Sequence, residues 1–128
     1  VSKQIISSPQ APNAIGPYSH AVKAGGFLFV SGQVGVDPAT GEFAAPDTAG
    51  QTEQCLKNLT AILAEAGAGL GQVVKATVFL ADLDDFQAMN QVYARFFPAD
   101  PPARACVQVA RLPREARVEI ELVVHLAA

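Results

Sequence analysis

Cysteine is scarce in this chain. Cys55 and Cys106 are the only two, far apart and in no Cys-x-x-Cys pair. That spacing argues against a disulfide framework and against a zinc site, and for reduced thiols in a cytosolic setting. Tryptophan is absent and methionine occurs once. No apolar run approaches the ~20 residues of a membrane span. The opening Val1-Ser2-Lys3-Gln4 carries no signal-peptide pattern. Charge is also thin, at 16% of residues, and the net charge is -3. Lys75, Arg95, Arg104, Arg111, Arg114 and Arg117 stand singly and form no dense basic run, which argues against a nucleic-acid groove. The phosphate-loop, dinucleotide and Gly-x-Ser-x-Gly patterns are missing too.

What is present is apolar: half of the 128 residues are hydrophobic. That suits one domain, 1–128, with a substantial core. It also suggests a surface that one copy leaves uncovered. Ile5-Ile6 reads as a short strand, followed by a proline-bounded loop from Pro9 to Pro17. Ser19 to Ala24 and Phe27 to Ser31 flank Gly25-Gly26, a two-residue hairpin signal. Thr48 and Gln51 have capping-box spacing and open a helix whose stripe is Cys55, Leu56, Leu59, Ile62, Leu63 and Ala66. Gly67 stops it. Val73 to Leu80 is rich in β-branched residues and reads as a strand. Asp82 or Asp84 caps a second helix with the stripe Phe86, Met89, Tyr93, Phe96 and Phe97, ended by Pro98. Arg104 to Val109 and Arg117 to Leu126 are the last two strands.

The resulting order, β-β-β-α-β-α-β-β, predicts an α+β fold: a mixed six-stranded sheet with two helices on one face. Strand alternation places Val118, Ile120, Leu122 and Val124 under the helices, and Ala105, Val107 and Val109 with them. On that parity Arg104, Cys106 and Gln108 share the helix-free face with Glu119, Glu121 and His125. Neighbouring subunits are expected to cover that face.

Arg104, Cys106 and Glu119 are the sharpest candidates. A guanidinium grips a carboxylate through two parallel hydrogen bonds, and a nearby carboxylate can position or deprotonate water. The competing reading is a structural cross-strand ion pair. Cys106 has no evident base, so an unreactive thiol is the simpler assignment. Tyr18 either reaches a pocket or staples its loop. Gly32, in Ser31-Gly32-Gln33, either lets a ligand approach the backbone or marks a bulge. Asn90 lies within the second helix, where an asparagine ordinarily faces solvent. His20 reads as a strand-edge polar group and His125 as a surface or interface residue; neither forms a metal site.

Several of these residues lie in longer stretches that resemble one family. Ala14-Ile15-Gly16-Pro17-Tyr18-Ser19, Phe29-Val30-Ser31-Gly32-Gln33-Val34, and Pro102 through Pro113 followed by Val118-Glu119-Ile120-Glu121 are similar to the RidA (YjgF) family. Val74 to Leu80 and Asp82 to Phe97 extend the similarity in one register. The resemblance implies a chorismate-mutase-like (bacillus-type) fold and a homotrimer whose sheets form a barrel, with active sites between subunits. It implies hydrolysis of 2-imino acids and their enamines, such as 2-iminobutanoate and 2-iminopropanoate, to 2-oxo acids and ammonia, without cofactor or metal. By position, Arg104 would bind the substrate carboxylate and Glu119 the attacking water. The backbone of Cys106 and Gly32 would contact the ligand, with Tyr18 and Asn90 lining the cleft. The expected setting is cytoplasmic, with no nucleic acid or membrane as partner. Two alternatives remain: a chaperone-like protein that senses 2-oxo acids without turnover, and an endoribonuclease or translation inhibitor. The second wants a basic surface that this composition does not offer.

Overall fold

The computed structural model describes residues 2–126; Val1, Ala127 and Ala128, at the ends of the expected 1–128 unit, lie outside the described residues. A short first strand, Gln4–Ile6 (β1), pairs antiparallel with Ala21–Ala24 (β2). Gly25 and Gly26 then take φ of 57° and 84°, the left-handed pair that a tight hairpin turn requires. The chain returns along Phe27–Val34 (β3), antiparallel to β2. Between β1 and β2 the proline-bounded loop is fixed by His20, which is buried rather than at a strand edge as expected. Its Nδ1 accepts the Ser8 N–H, and its Nε2 donates to the Pro12 carbonyl at 2.7 Å.

Thr48–Glu65 forms the first helix (α1). The expected Thr48–Gln51 capping box does not form: Asp47, one residue earlier, is the N-cap, and its carboxylate accepts the Gly50 N–H. A carboxylate suits that position because the helix dipole is positive there. Thr48 instead donates to Asp85, and Gln51 ties Ala45 to the Arg117 N–H. The stripe behaves as its period predicts, with Cys55, Leu56, Leu59, Ile62 and Leu63 fully buried. Each such leucine contributes about 2 kcal/mol by leaving water. Gly67, at φ 72°, ends the helix, and the Ala68 N–H returns to the Leu63 carbonyl.

Val73–Leu80 (β4) is followed by a single tight turn, Leu83–Asp85, opened by the Asp82 side chain. From that turn grows Phe86–Phe96 (α2), which has no side-chain cap of its own. Ala103–Gln108 (β5) and Val118–His125 (β6) complete a mixed sheet of order β1-β2-β3-β6-β4-β5. Among the described residues only β4 and β5 pair in parallel, joined through α2. The core lies between the helices and one sheet face, where Leu28, Val78, Leu80, Val118, Ile120 and Val124 are fully buried. Among the described residues no helix is long and apolar enough to cross a membrane.

One expectation about the faces fails. In β6 the row Val118, Ile120, Leu122 and Val124 is buried under the helices, as expected. Opposite Ile120 on β4 is Val78, and opposite Val78 on β5 is Cys106; Leu122, Ala76 and Arg104 line up likewise. Residues directly opposite across a ladder share a face. Arg104 and Cys106 therefore face the helices, while Ala105 and Val107 join Glu119 and Glu121 on the helix-free side. The physical reason is the position of β5 at the sheet edge. There α2 covers the arginine with aromatic rings, and the valine is left exposed on the far face.

Candidate active site

Two separate clusters result, one on each side of the sheet. The first surrounds Glu119. At the centre of β3 the ladder to β6 slips: Val30 faces Leu122 and Gln33 faces Ile120, so Ser31 and Gly32 together stand opposite Glu121. This bulge bends the strand. It is held by Ser31, whose N–H donates to the His20 carbonyl and whose hydroxyl donates to the Ser19 carbonyl at 2.6 Å. Gly32 is there for space. A Cβ on it would stand 2.7 Å from Glu119 Oε2 and 2.9 Å from its Cδ. The carboxylate thus occupies the room that any side chain at position 32 would need.

Tyr18, Gly32, Glu119, Glu121 and Arg114 border one open cavity of about 600 Å³. Tyr18 is half exposed, and its hydroxyl accepts the Ile15 N–H at 3.4 Å, so the ring both staples the loop and borders the cavity. Burial pushes the Glu119 carboxyl above the usual glutamate range, and the neighbouring Glu121 carboxylate adds to the push. A carboxylate raised in this way is a better base than an exposed one. Arg114, at φ 57°, also lines the cavity; its guanidinium donates to the Gly41 carbonyl and lies 5.3 Å from the Phe43 ring centre.

The second cluster surrounds Arg104. Its Nη1 donates to Asn90 Oδ1 at 2.6 Å, and its guanidinium carbon lies 4.8 Å from the Tyr93 ring centre and 5.5 Å from that of Phe86. Among the described residues no carboxylate pairs with it, so the structural ion pair with Glu119 is not formed. Asn90 therefore faces the arginine rather than open solvent. Cys106 is partly buried beside this cluster, and burial pushes its thiol up while the Arg104 charge opposes the shift. A raised thiol is a poor nucleophile at neutral pH. Cys55, wholly buried in the core, has its thiol pushed up further still, and donates to the Gln33 carbonyl.

The structure thus brings Tyr18, Gly32 and Glu119 together, and separately Asn90, Arg104 and Cys106. It does not bring the two groups to one place within a chain. Phe86 and Tyr93 were read from the sequence only as core stripe. The signal for their second role was the spacing: Asn90 is four residues after Phe86 and three before Tyr93, hence on the same helix face. Chemically, one cluster can grip a small carboxylate, and the other can hold a polarised water or receive a proton.

Known proteins resemble the chain over almost its whole length. A family model described as Endoribonuclease L-PSP matches residues 8–126. RutC family protein y4sK of Sinorhizobium fredii is 55% identical over 121 residues, covering 94% of this chain and 96% of that protein. The human 2-iminobutanoate/2-iminopropanoate deaminase is 46% identical over 121 residues, covering 94% and 88%. The crystal structure of E. coli TdcF with bound serine superposes with a TM-score of 0.92 at 45% identity, covering 97% of this chain and 99% of that one. Matches of this identity and extent, with the same sheet and helices, place the chain: it belongs to the RidA (YjgF) family, whose model carries the L-PSP name.

Proposed function

We propose that the protein hydrolyses reactive 2-imino acids and their enamines, 2-iminobutanoate and 2-iminopropanoate among them, to 2-oxo acids and ammonia. The observation that carries this reading is the pair of complementary clusters: an arginine fork paired with no carboxylate among the described residues, and a half-buried carboxylate with a raised pKa. The name of the human relative supports it, as does a relative solved with an amino acid, serine, bound.

In this reading the functional unit is a homotrimer of the chorismate-mutase-like (bacillus-type) fold, its sheets facing one another as a barrel. Each 1–128 chain acts as one domain. Two features support association. The helix-free face carries exposed apolar groups, Ile5, Phe29 and Val107, in rows that continue into Val22, Val123 and Phe79. And a chain with its two clusters on opposite sides of the sheet needs a neighbour to complete a site. Arg104 of one subunit then holds the substrate carboxylate, with Asn90 and the Cys106 backbone beside it. Glu119, Gly32 and Tyr18 of the next present the water.

Water adds to the imine carbon as Glu119 takes its proton. Glu119 passes that proton to the imine nitrogen, and the resulting carbinolamine collapses as its hydroxyl proton moves to the nitrogen, releasing ammonia and leaving the 2-oxo acid and the ionised Glu119. No metal or cofactor enters this sequence, which belongs in the cytoplasm, where pyridoxal-phosphate dehydratases release such imines. Glu119 and Glu121 on one cavity wall repel a phosphate backbone, which disfavours an RNA-cleaving alternative.

The test generates 2-iminobutanoate in place with a dehydratase, follows its decay, and measures sedimentation of the same sample. Faster decay and a trimer are expected. Unaccelerated decay, or a monomer at micromolar concentration, overturns the proposal. A finer expectation concerns Gly32→Ala. The new Cβ displaces only the far end of a side chain, so the fold survives, but Glu119 is shifted from its water. A displacement of this size lowers turnover by about 10²-fold. Unchanged turnover in Gly32→Ala would detach the Glu119 carboxylate position from catalysis.

A further inference from the structure

We infer that Tyr93 and Phe86 are positioning residues for Arg104: their rings hold the guanidinium so that one fixed edge of the fork meets the substrate carboxylate. This rests on the reading of Arg104 as the carboxylate grip and gives that grip a mechanism. Arginine has several rotatable bonds, and a free one loses that freedom only when its ligand arrives, at the expense of affinity. Arg104 stands on an edge strand, where few neighbours confine it. What confines it is α2. Phe86, Asn90 and Tyr93 recur at four and three residues and form one stripe toward the arginine.

Within that stripe the labour is divided. The rings lie 4.8 and 5.5 Å from the guanidinium carbon, within the range where a cation is attracted to an aromatic face. Asn90 accepts from Nη1 at 2.6 Å and sets the rotation about the remaining axis. Nε and Nη2 have no side-chain partner among the described residues, so the edge they define is left for a ligand. A guanidinium has five donors in a rigid plane, and fixing one end of that plane fixes the other.

Tyr93 supplies the second observation. Its hydroxyl is buried and has no hydrogen-bond partner among the described residues. Burial raises its pKa, with Arg104 opposing. A tyrosine held for hydrogen bonding would have its oxygen paired. Here the ring is used and the hydroxyl is not.

The experiment compares Tyr93→Leu, Tyr93→Phe and Phe86→Leu in the trimeric enzyme. Two quantities are read: the NMR order parameter of the Arg104 Nε–Hε bond, and the KM and kcat for 2-iminobutanoate. Tyr93→Leu lowers the order parameter and raises KM about 10-fold with kcat little changed, because the grip acts equally on substrate and transition state. The conservative Tyr93→Phe restores both values and raises the thermal midpoint, since it removes an unpaired buried hydroxyl. Phe86→Leu, at a less buried position, shows the same pattern more weakly and serves if Tyr93→Leu does not fold. An unchanged order parameter in both leucine variants overturns the inference, as does a Tyr93→Phe enzyme as impaired as Tyr93→Leu. A wild-type enzyme that neither binds 2-oxobutanoate nor turns over the imine refutes the deaminase reading instead, and the order parameter still decides the positioning role.

Discussion

Arg104→Ala is expected to lower kcat/KM for 2-iminobutanoate by at least ~100-fold, with binding of 2-oxobutanoate lost in parallel. In the proposed site the loss follows from removing two charge-assisted hydrogen bonds to the substrate carboxylate, together roughly 3 kcal/mol. Arg104→Lys recovers little. An ammonium can satisfy a point of negative charge but cannot reproduce the planar fork, nor can it both bond to Asn90 and present a free edge. Because Arg104 makes no ion pair among the described residues, its removal strands no buried carboxylate, and the proposed trimer should survive. Sedimentation checks that. A variant within a few-fold of wild type, or one that still binds 2-oxobutanoate, would take the carboxylate away from Arg104.

Glu119→Gln has a different expected signature. It keeps the shape beside Gly32 and the binding of 2-oxobutanoate, but turns over roughly 10²- to 10⁴-fold more slowly because an amide cannot accept the proton from water. The pH dependence follows from the raised pKa. In the proposed mechanism activity needs the carboxylate, so in the wild type it is expected to decline as pH falls through a value above the ordinary glutamate range, and the decline to be absent in Glu119→Gln. Stability runs the other way. A carboxyl whose pKa is raised on folding binds its proton more tightly folded than unfolded. Its contribution is therefore favourable below the ordinary pKa and is lost as pH rises through the raised one. At neutral pH the ionised Glu119 is a burden on the fold, and Glu119→Gln should melt at a higher temperature while working worse. Identical signatures for the Arg104 and Glu119 variants would mean that one role is misassigned.

Much of this was legible in the sequence because short-range physics decided it. The Gly25-Gly26 turn, the α1 stripe and the β-branched run of β4 depend on residues within a few positions of one another, and each appears where its pattern puts it. Helix starts were less legible. Asp47 and Thr48 are both good caps, and only the tertiary bond from Thr48 to Asp85 decides between them. The faces of β5 were misread for a physical reason. Parity says that alternate residues part company, but not which set goes inward. The bulkier apolar set, with Val107, was assigned to the core. In the structure Val107 is the exposed set, and the arginine lies inward because three residues of α2 accommodate it. The bulge at Ser31-Gly32 was one of the two readings of that glycine and is found, but the packing of Glu119 on Gly32 is a property of the β3–β6 register and cannot be read from one strand alone.

The division of the two clusters between opposite sides of the sheet has a consequence for genetics. In the proposed trimer a site belongs to no single polypeptide, so damage to one chain is shared with its neighbours. A cell carrying two defective alleles, one lesioned at Arg104 and the other at Glu119, still assembles some junctions in which the intact half of each meets the intact half of the other. Two alleles lesioned on the same side assemble none. Recessive mutations in this protein should therefore sort into two complementation groups within one gene. The boundary between them follows the plane of the sheet and not the order of residues along the chain.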